Sequence, residues 1–428
     1  MSANPQAREP LWDIVEESLD EAEFLWSRWE SDLSSLTRNL DEVYIWSEDR
    51  LHGALDGVRA GGAQSLGRFL LPALEGDNLQ RMTVSAHLMA QGSGPAALAS
   101  LAHALKTAEG KKLDALLRGI ETAPLDGSFV QIANQLAQGD PVRCAALCRL
   151  KSFRRSAVGA ELAAALAADD PAHRAQGLRS ASFAGQNAAH LIEAALPDKD
   201  ADVVVAAIES GLRLQLPAAW TAVRERARAA TPADAALLRW AAALGGHDDF
   251  AVILDALGKA PLTRHALYAL GHVGNVEAVE GCLAHMAGEH ARAAGEAYCA
   301  ITGAELELDR LSAPEPDEPA PEFEADDLDA NLVSAAHELW PLPNPDAVRA
   351  HWNGINARFE SGGRYLMGQP RNSQTLMQRV ASAPMLRRPD WIFELAVRTA
   401  GKFDLEPRAF RATQQQQLQA ALGALGAN

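Results

Sequence analysis

The sequence predicts an all-α protein, an α-solenoid of stacked helix pairs. One observation is a helix-turn-helix pattern that returns about every thirty residues across residues 77–289. The other is composition: the chain is 48% hydrophobic, its apolar runs are dominated by Ala and Leu, and alternating Val and Ile are scarce, which favours helices and almost no sheet. A single helix pair has too little apolar face to be stable alone. Such pairs bury themselves on their neighbours and propagate.

Residues 1–75 read as an N-terminal helical cap. In "PLWDIVEESLDEAEFLWSRWESDL", Leu11, Val15, Ala22, Leu25, Trp29 and Leu33 fall on one helical stripe, and acids cover the rest. A second helical stretch, residues 41–59, ends at Gly61-Gly62. Trp12, Trp26, Trp29 and Trp46 lie in this region at helical spacing. That spacing predicts core packing, with an interface role as the alternative.

Residues 76–311 carry the repeats, in about seven units. The pattern is clearest in "DPAHRAQGLRSASFAGQNAAHLIEAAL" from Asp170, "PADAALLRWAAALGGHDDFAVILDAL" from Pro232 and "PLTRHALYALGHVGNVEAVEGCLAHM" from Pro261. Each opens on a proline suited to a first helical turn, and Asp170 or Thr231 stands before it as a cap. Each breaks at Gly185, Gly245-Gly246 or Gly274-Asn275. A similar unit starts at Asp140, and the unit from Ala201 breaks at Leu216-Pro217, where the proline can begin a helix. "ARAAGEAYCAITG" reads as half of another unit.

Residues 312–331, "SAPEPDEPAPEFEADDLDAN", hold four prolines and eight acids, so an extended, self-repelling linker is expected. Residues 332–428 read as a small basic helical module. Over residues 364–411, nine basic residues face four acids. The acidic linker is expected to fold back on this module, or on the basic stretch of residues 143–179.

That stretch sets seven basic residues against three acids. Its arginines, Arg143, Arg149, Arg154 and Arg155 among them, read either as a face pairing with neighbouring repeats or as a docking patch for an acidic partner segment. In arrays of this kind the second helix of each pair lines the binding side. His190, Glu193, Arg224, Arg228, Asp255 and Glu280 are therefore the expected partner-binding positions, and Trp220 and Trp240 read as core or groove.

No catalytic constellation emerges, so no catalytic residue, cofactor or metal is expected. There is no phosphate loop after a strand, no Gly-x-Ser-x-Gly elbow and no His-Glu-x-x-His pair. His247-Asp248-Asp249 is the densest polar cluster and sits where helix caps are common. Cys144 and Cys148 are four apart on a predicted helix without a matching second pair, which predicts small packing residues; Cys282 and Cys299 read the same way. A formal charge of -17 would repel nucleic acid unless a basic face were segregated. The N-terminus lacks signal-peptide character and no apolar run is long enough to span a membrane, so a cytoplasmic protein is expected.

The repeats resemble HEAT-like repeats of the bilin-lyase type, a resemblance covering roughly half the chain that implies a fold more than a function. Across its length the chain also resembles an uncharacterised proteobacterial family. The carriers are "LDEAEFLW" at residues 19–26, "RLHGALDGVRAGG" at 50–62, "YCAITG" at 298–303, "GGRYLMGQP" at 362–370 and "FELAVRTAG" at 393–401. That family is often encoded beside type VI secretion spike and PAAR-like effector genes. The resemblance implies a non-enzymatic protein-binding scaffold, an adaptor or chaperone-like accessory for an effector, with an immunity protein as a close relative. The alternative is a HEAT-like enzyme of the bilin-lyase or DNA glycosylase kind, the latter casting Trp240 and Asp249 in the site.

Overall fold

The computed structural model describes residues 10–92, 94–124, 128–315 and 340–426. The protein is all-α: helices carry nearly all its regular structure, and the described strands form a single two-residue pairing, Tyr365–Leu366 with Gln369–Pro370. The chain divides into two compact units, residues 1–219 with 380–428, and residues 220–379. Most of the expected linker, residues 316–331, lies outside the described residues, and so does its expected docking.

The first unit is built around the helix Trp12–Asp32, which buries Val15, Leu19, Ala22, Leu25, Trp26 and Trp29 against the helices Asp49–Ala60 and Leu79–Ala90. The expected stripe holds except at Leu11, which is 74% exposed because it precedes the first turn. Trp26 and Trp29 are core, whereas Trp46 is 62% exposed beside Ile45. The helical stretch expected over 41–59 begins one residue earlier. The Asn39 side chain accepts from the Glu42 N–H, the Glu42 carboxylate accepts from the Asn39 N–H, and this capping box starts Leu40–Val43. Tyr44–Glu48 is then underwound into a π-turn before Asp49–Ala60.

Helix pairs follow. Asp140 and Asp170 cap the helices Pro141–Phe153 and Pro171–Ser180 by accepting from Arg143 and Ala172 N–H groups, as their Asp-Pro starts predict. These two helices and Ala201–Arg213 stack as the first helices of successive pairs. Polar rungs mark the register between them: Ser180 donates to Ser152 at 3.2 Å, and Ser210 donates to the Leu178 carbonyl at 2.5 Å. Each buried hydroxyl is thereby satisfied. One repeat earlier, the helix Gly110–Thr122 approaches Leu79–Ala90 so closely that a Cβ on Gly119 would stand 2.3 Å from the Thr83 carbonyl oxygen. Only glycine fits there.

The same unit takes in the end of the chain. The helix Arg388–Arg398 packs on Ala201–Arg213. Residues 403–410 then run without helix, burying Phe403, Leu405, Ala409 and Phe410, into the final helix Arg411–Gly426. Arg388 is fully buried, with its Nε–H donated to the Val380 carbonyl at 2.7 Å and its Nη1 bonded to Gln414. Burial pulls its guanidinium down to about 10.

In the second unit Ala235–Leu244, Thr263–Val273 and Ala291–Thr302 stack as first helices, and His247–Leu257 and Val276–Leu283 are their second helices. Thr231 stands at the expected cap position, where the Asp234 carboxylate accepts from its N–H at 3.0 Å and its hydroxyl at 2.8 Å, and it opens a short 3-10 turn, Pro232–Asp234, ahead of the α-helix. The helix expected from Pro261 begins at Thr263, with residues 259–262 forming the turn that leads in. The half unit is present as Ala291–Thr302. Asn344 caps the helix Pro345–Ile355 by accepting from the Ala347 N–H at 3.1 Å.

The C-terminal stretch thus does not stand apart. Residues 345–379 belong to the second unit and residues 380–428 to the first. The physical reason is visible in each unit: in the second, the irregular part of that stretch donates to carbonyls at the C-terminal ends of stacked helices, and in the first, Arg118 and Arg155 near helix C-terminal ends donate to carbonyls of the irregular part.

Candidate binding surface

A helix C-terminus leaves carbonyls without intrahelical partners, and arginine, with five donors, is well suited to collect them. Both units use arginine this way. In the second unit Arg364 donates to Ala242 O at 2.6 Å, Ala243 O at 3.3 Å, Gly245 O at 3.4 Å, His272 O at 2.7 Å and Val273 O at 2.9 Å, and its guanidinium stacks 4.9 Å from the Phe250 ring. The hairpin beyond it turns at Met367 and Gly368, both with positive φ, as the right-handed twist of a two-residue turn requires. Its main chain docks on the same edge: Tyr365 N–H donates to Gly274 O at 2.7 Å, and Met367 N–H donates to Ala300 O at 2.8 Å. Gly274, at φ 71°, is the left-handed cap of Thr263–Val273, and a Cβ there would meet the Tyr365 carbonyl oxygen at 2.3 Å.

In the first unit the arginine-rich stretch is drawn inward. Arg143 is buried and holds Lys106 O at 2.9 Å. Arg149 pairs with Glu121 at 2.6 Å and Asp114 at 2.7 Å. Arg154 donates to Ile120 O at 2.7 Å and Ala123 O at 3.2 Å, stacks on Phe129, and is pulled down to about 10 by burial. Arg155 pairs with Glu406 at 3.0 Å and Asp404 at 3.5 Å and donates to Leu405 O. All four arginines expected as a docking patch are therefore committed within the unit, Arg143, Arg149 and Arg154 to neighbouring repeats and Arg155 to residues near the end of the chain. Arg118 and Arg213 belong to the same row, the first donating to Arg408 O at 2.9 Å and the second to Asp404 at 2.7 Å.

The second-helix positions divide differently. His190, Glu193, Arg228 and Asp255 are exposed and make no side-chain hydrogen bond or ion pair among the described residues. Glu280 accepts from Trp352 Nε1 at 2.9 Å and pairs with Arg349 at 2.8 Å, so the helix Pro345–Ile355 lies over it. Arg224 stacks on Trp220 and holds both carboxylate oxygens of Asp249, at 2.8 and 3.0 Å. Against the upward push of burial, Arg224 and the Gly246 N–H keep Asp249 below the usual carboxylate range. Asp249 is a helix cap clamped by arginine, and Trp240 is buried. Cys144 and Cys148 are buried in one helix, and burial pushes the Cys148 thiol up to about 12. No group of His, Cys, Asp or Glu among the described residues is arranged to hold a metal ion, and no described helix is long and apolar enough to cross a membrane.

Sequence reasoning misses an aromatic box in the first unit. The Phe410 ring lies 4.4 Å from Trp29, 4.8 Å from His52, 5.7 Å from His87 and 6.0 Å from Trp26. Glu48 is fully buried beside it, accepting from Trp29 Nε1 at 3.2 Å and from the Arg411 main-chain N–H at 2.8 and 3.1 Å. Burial pushes the Glu48 carboxyl up to about 7. His87, bonded to Thr122 at 3.0 Å and Gln91 at 2.7 Å, is pushed down to about 3 by burial, with Arg59 adding to the effect. Helical spacing did place Trp26 and Trp29 inside, but nothing local in the sequence pairs them with a residue near the other end of the chain.

His87 gives a directional prediction. Its folded pKa is depressed, so its contribution is present above about pH 6.5 and lost as pH falls toward 3. From pH 7 to 4.5 the first unit should lose about 2–3 kcal/mol by this route. Urea unfolding at the two pH values should show that loss shrinking in His87→Gln; an equal loss in both chains would contradict the assignment.

No protein-family model, no curated protein and no solved structure matches the chain.

Proposed function

We propose that the chain is a protein-binding scaffold with no reaction of its own, its helix pairs extended as a solenoid. In the finer form of this reading it is an adaptor or chaperone-like accessory that holds a type VI secretion effector in the cytoplasm. The observation that carries the reading is that each unit already holds irregular polypeptide across its helix ends: in one, Arg118 and Arg155 collect carbonyls of that polypeptide, and in the other Arg364, on the polypeptide itself, collects carbonyls of the helix ends. Main-chain carbonyls are common to every polypeptide, so the first unit's edge, which collects them, suits extended chain of many sequences. His190, Glu193, Arg228 and Asp255 remain exposed on second helices as the positions offered to a partner. The glycosylase casting has less support, because Asp249 is clamped by Arg224 and Trp240 is packed inside.

The test is purification of the tagged chain at native level from its own bacterium, followed by size-exclusion chromatography and mass spectrometry. A spike or effector protein is expected to co-elute in fixed ratio. Arg228→Glu with Asp255→Lys should weaken that complex by about tenfold or more, while leaving stability within about 0.5 kcal/mol because both sites are exposed. A chain that elutes alone, or with nucleic acid, would overturn the reading. Loss of effector toxicity on binding would identify the immunity form.

A further inference from the structure

Glu48 stands where three parts of the first unit meet. It lies at the end of the π-turn Tyr44–Glu48, below the indole of Trp29, and at the start of the final helix, whose first main-chain N–H it accepts. Both donors are neutral. The Arg411 guanidinium, which favours the ionised carboxyl, is turned to Asp41 at 2.5 Å and lies over the Tyr44 ring. On the turn itself Tyr44 bonds Asp49 at 3.0 Å. Phe410, the residue before that helix, is faced by His52 and His87 from two other helices. A charge on Glu48 would therefore sit in a dry pocket without a direct ion pair, at the residue that fastens the chain end.

We propose that Glu48 and Phe410 form a pH-gated latch: residues 403–426 stay closed on the aromatic box while Glu48 is protonated, and open more often once it is ionised. The hinge is at Ala400 and Gly401, both in left-handed backbone, φ 51° and 80°, and Gly401 and Lys402 are exposed. Opening uncovers Trp26, Trp29 and His87, an apolar surface in the body of the unit.

The sign follows from linkage. In the closed form the carboxyl titrates at about 7, and released into water it titrates at its ordinary 4.5. Rising pH therefore favours the open form progressively between those values, and the effect is complete above pH 7. His52 and His87 act in the opposite direction below pH 6.5, so wild type must be read against a chain that differs only at Glu48.

The experiment is hydrogen exchange on the full chain and on Glu48→Gln, whose carboxamide oxygen still accepts from Trp29 and Arg411 but does not titrate. The wild-type to variant ratio of exchange rates for amides of residues 405–426 should rise about tenfold between pH 6 and pH 8, while amides of Pro141–Phe153 keep a constant ratio. A flat ratio overturns the latch, and an equal rise throughout the unit overturns it too, because Glu48 would then report global unfolding. Should Glu48→Gln fail to fold, Trp29→Phe provides the second test. Removing the indole donor raises the carboxyl further and should move the transition to higher pH; an unmoved transition counts against the proposal.

Discussion

Phe410→Ala is expected to detach the end of the chain from the first unit. The ring is buried among two tryptophans and two histidines, and truncating a buried aromatic side chain costs about 3–5 kcal/mol through lost transfer energy and the cavity left behind. The loss should be local first. Arg155 and Arg213 hold Asp404 and Glu406 on the near side of Phe410, whereas Arg411 and the final helix follow directly from it. Protease should then cut within residues 408–426 of Phe410→Ala under conditions that leave wild type intact, with the helix Trp12–Asp32 still protected. Cleavage no faster than in wild type would show that the polar clasps alone hold the segment, and the aromatic box would lose its assigned role.

Arg364→Ala should be nearly as damaging to the second unit. It removes the donors for five carbonyls at the ends of Ala235–Leu244 and Thr263–Val273, and at the same time the anchor that seats the hairpin on Gly274. Leaving a few of those acceptors unpaired costs about 1–3 kcal/mol each where no water replaces the arginine. A total loss of about 3 kcal/mol is expected, read as a lower urea midpoint for amide exchange within Thr263–Val273. Arg364→Lys separates charge from geometry. An ammonium is a single point donor and cannot span two helix ends, so lysine should recover less than half of the loss. Full recovery by lysine would mean that the positive charge at the helix C-termini matters more than the fork of hydrogen bonds.

These two residues show where sequence reading stops. Asp140-Pro141 and Asp170-Pro171 announce helix starts because a cap is a local event, fixed by side chains within three residues of one another. Helical spacing assigned Trp26 and Trp29 to the core for the same reason, and it failed at Leu11, which precedes the first turn, and at Trp46, which is exposed. The local signal is equally strong in the basic stretch of residues 143–179 and in the second-helix row. Yet it could not separate Arg143, Arg149, Arg154 and Arg155, which face inward onto carbonyls and carboxylates, from Arg228, which faces outward. Charge count is indifferent to direction.

The sequence by itself determined the all-α class, the helix pairs and most of their boundaries, because periodicity, proline starts and glycine breaks act over one or two turns of chain. Only the tertiary structure decided that residues 345–379 join one unit and 380–428 the other, that Phe410 fills a box made by Trp26, Trp29, His52 and His87, and that Glu48 is buried without an ion pair. Those outcomes depend on unpaired carbonyls at helix ends and on apolar gaps between helices, which come into existence when the helices stack and have no counterpart in the spacing of residues along the chain.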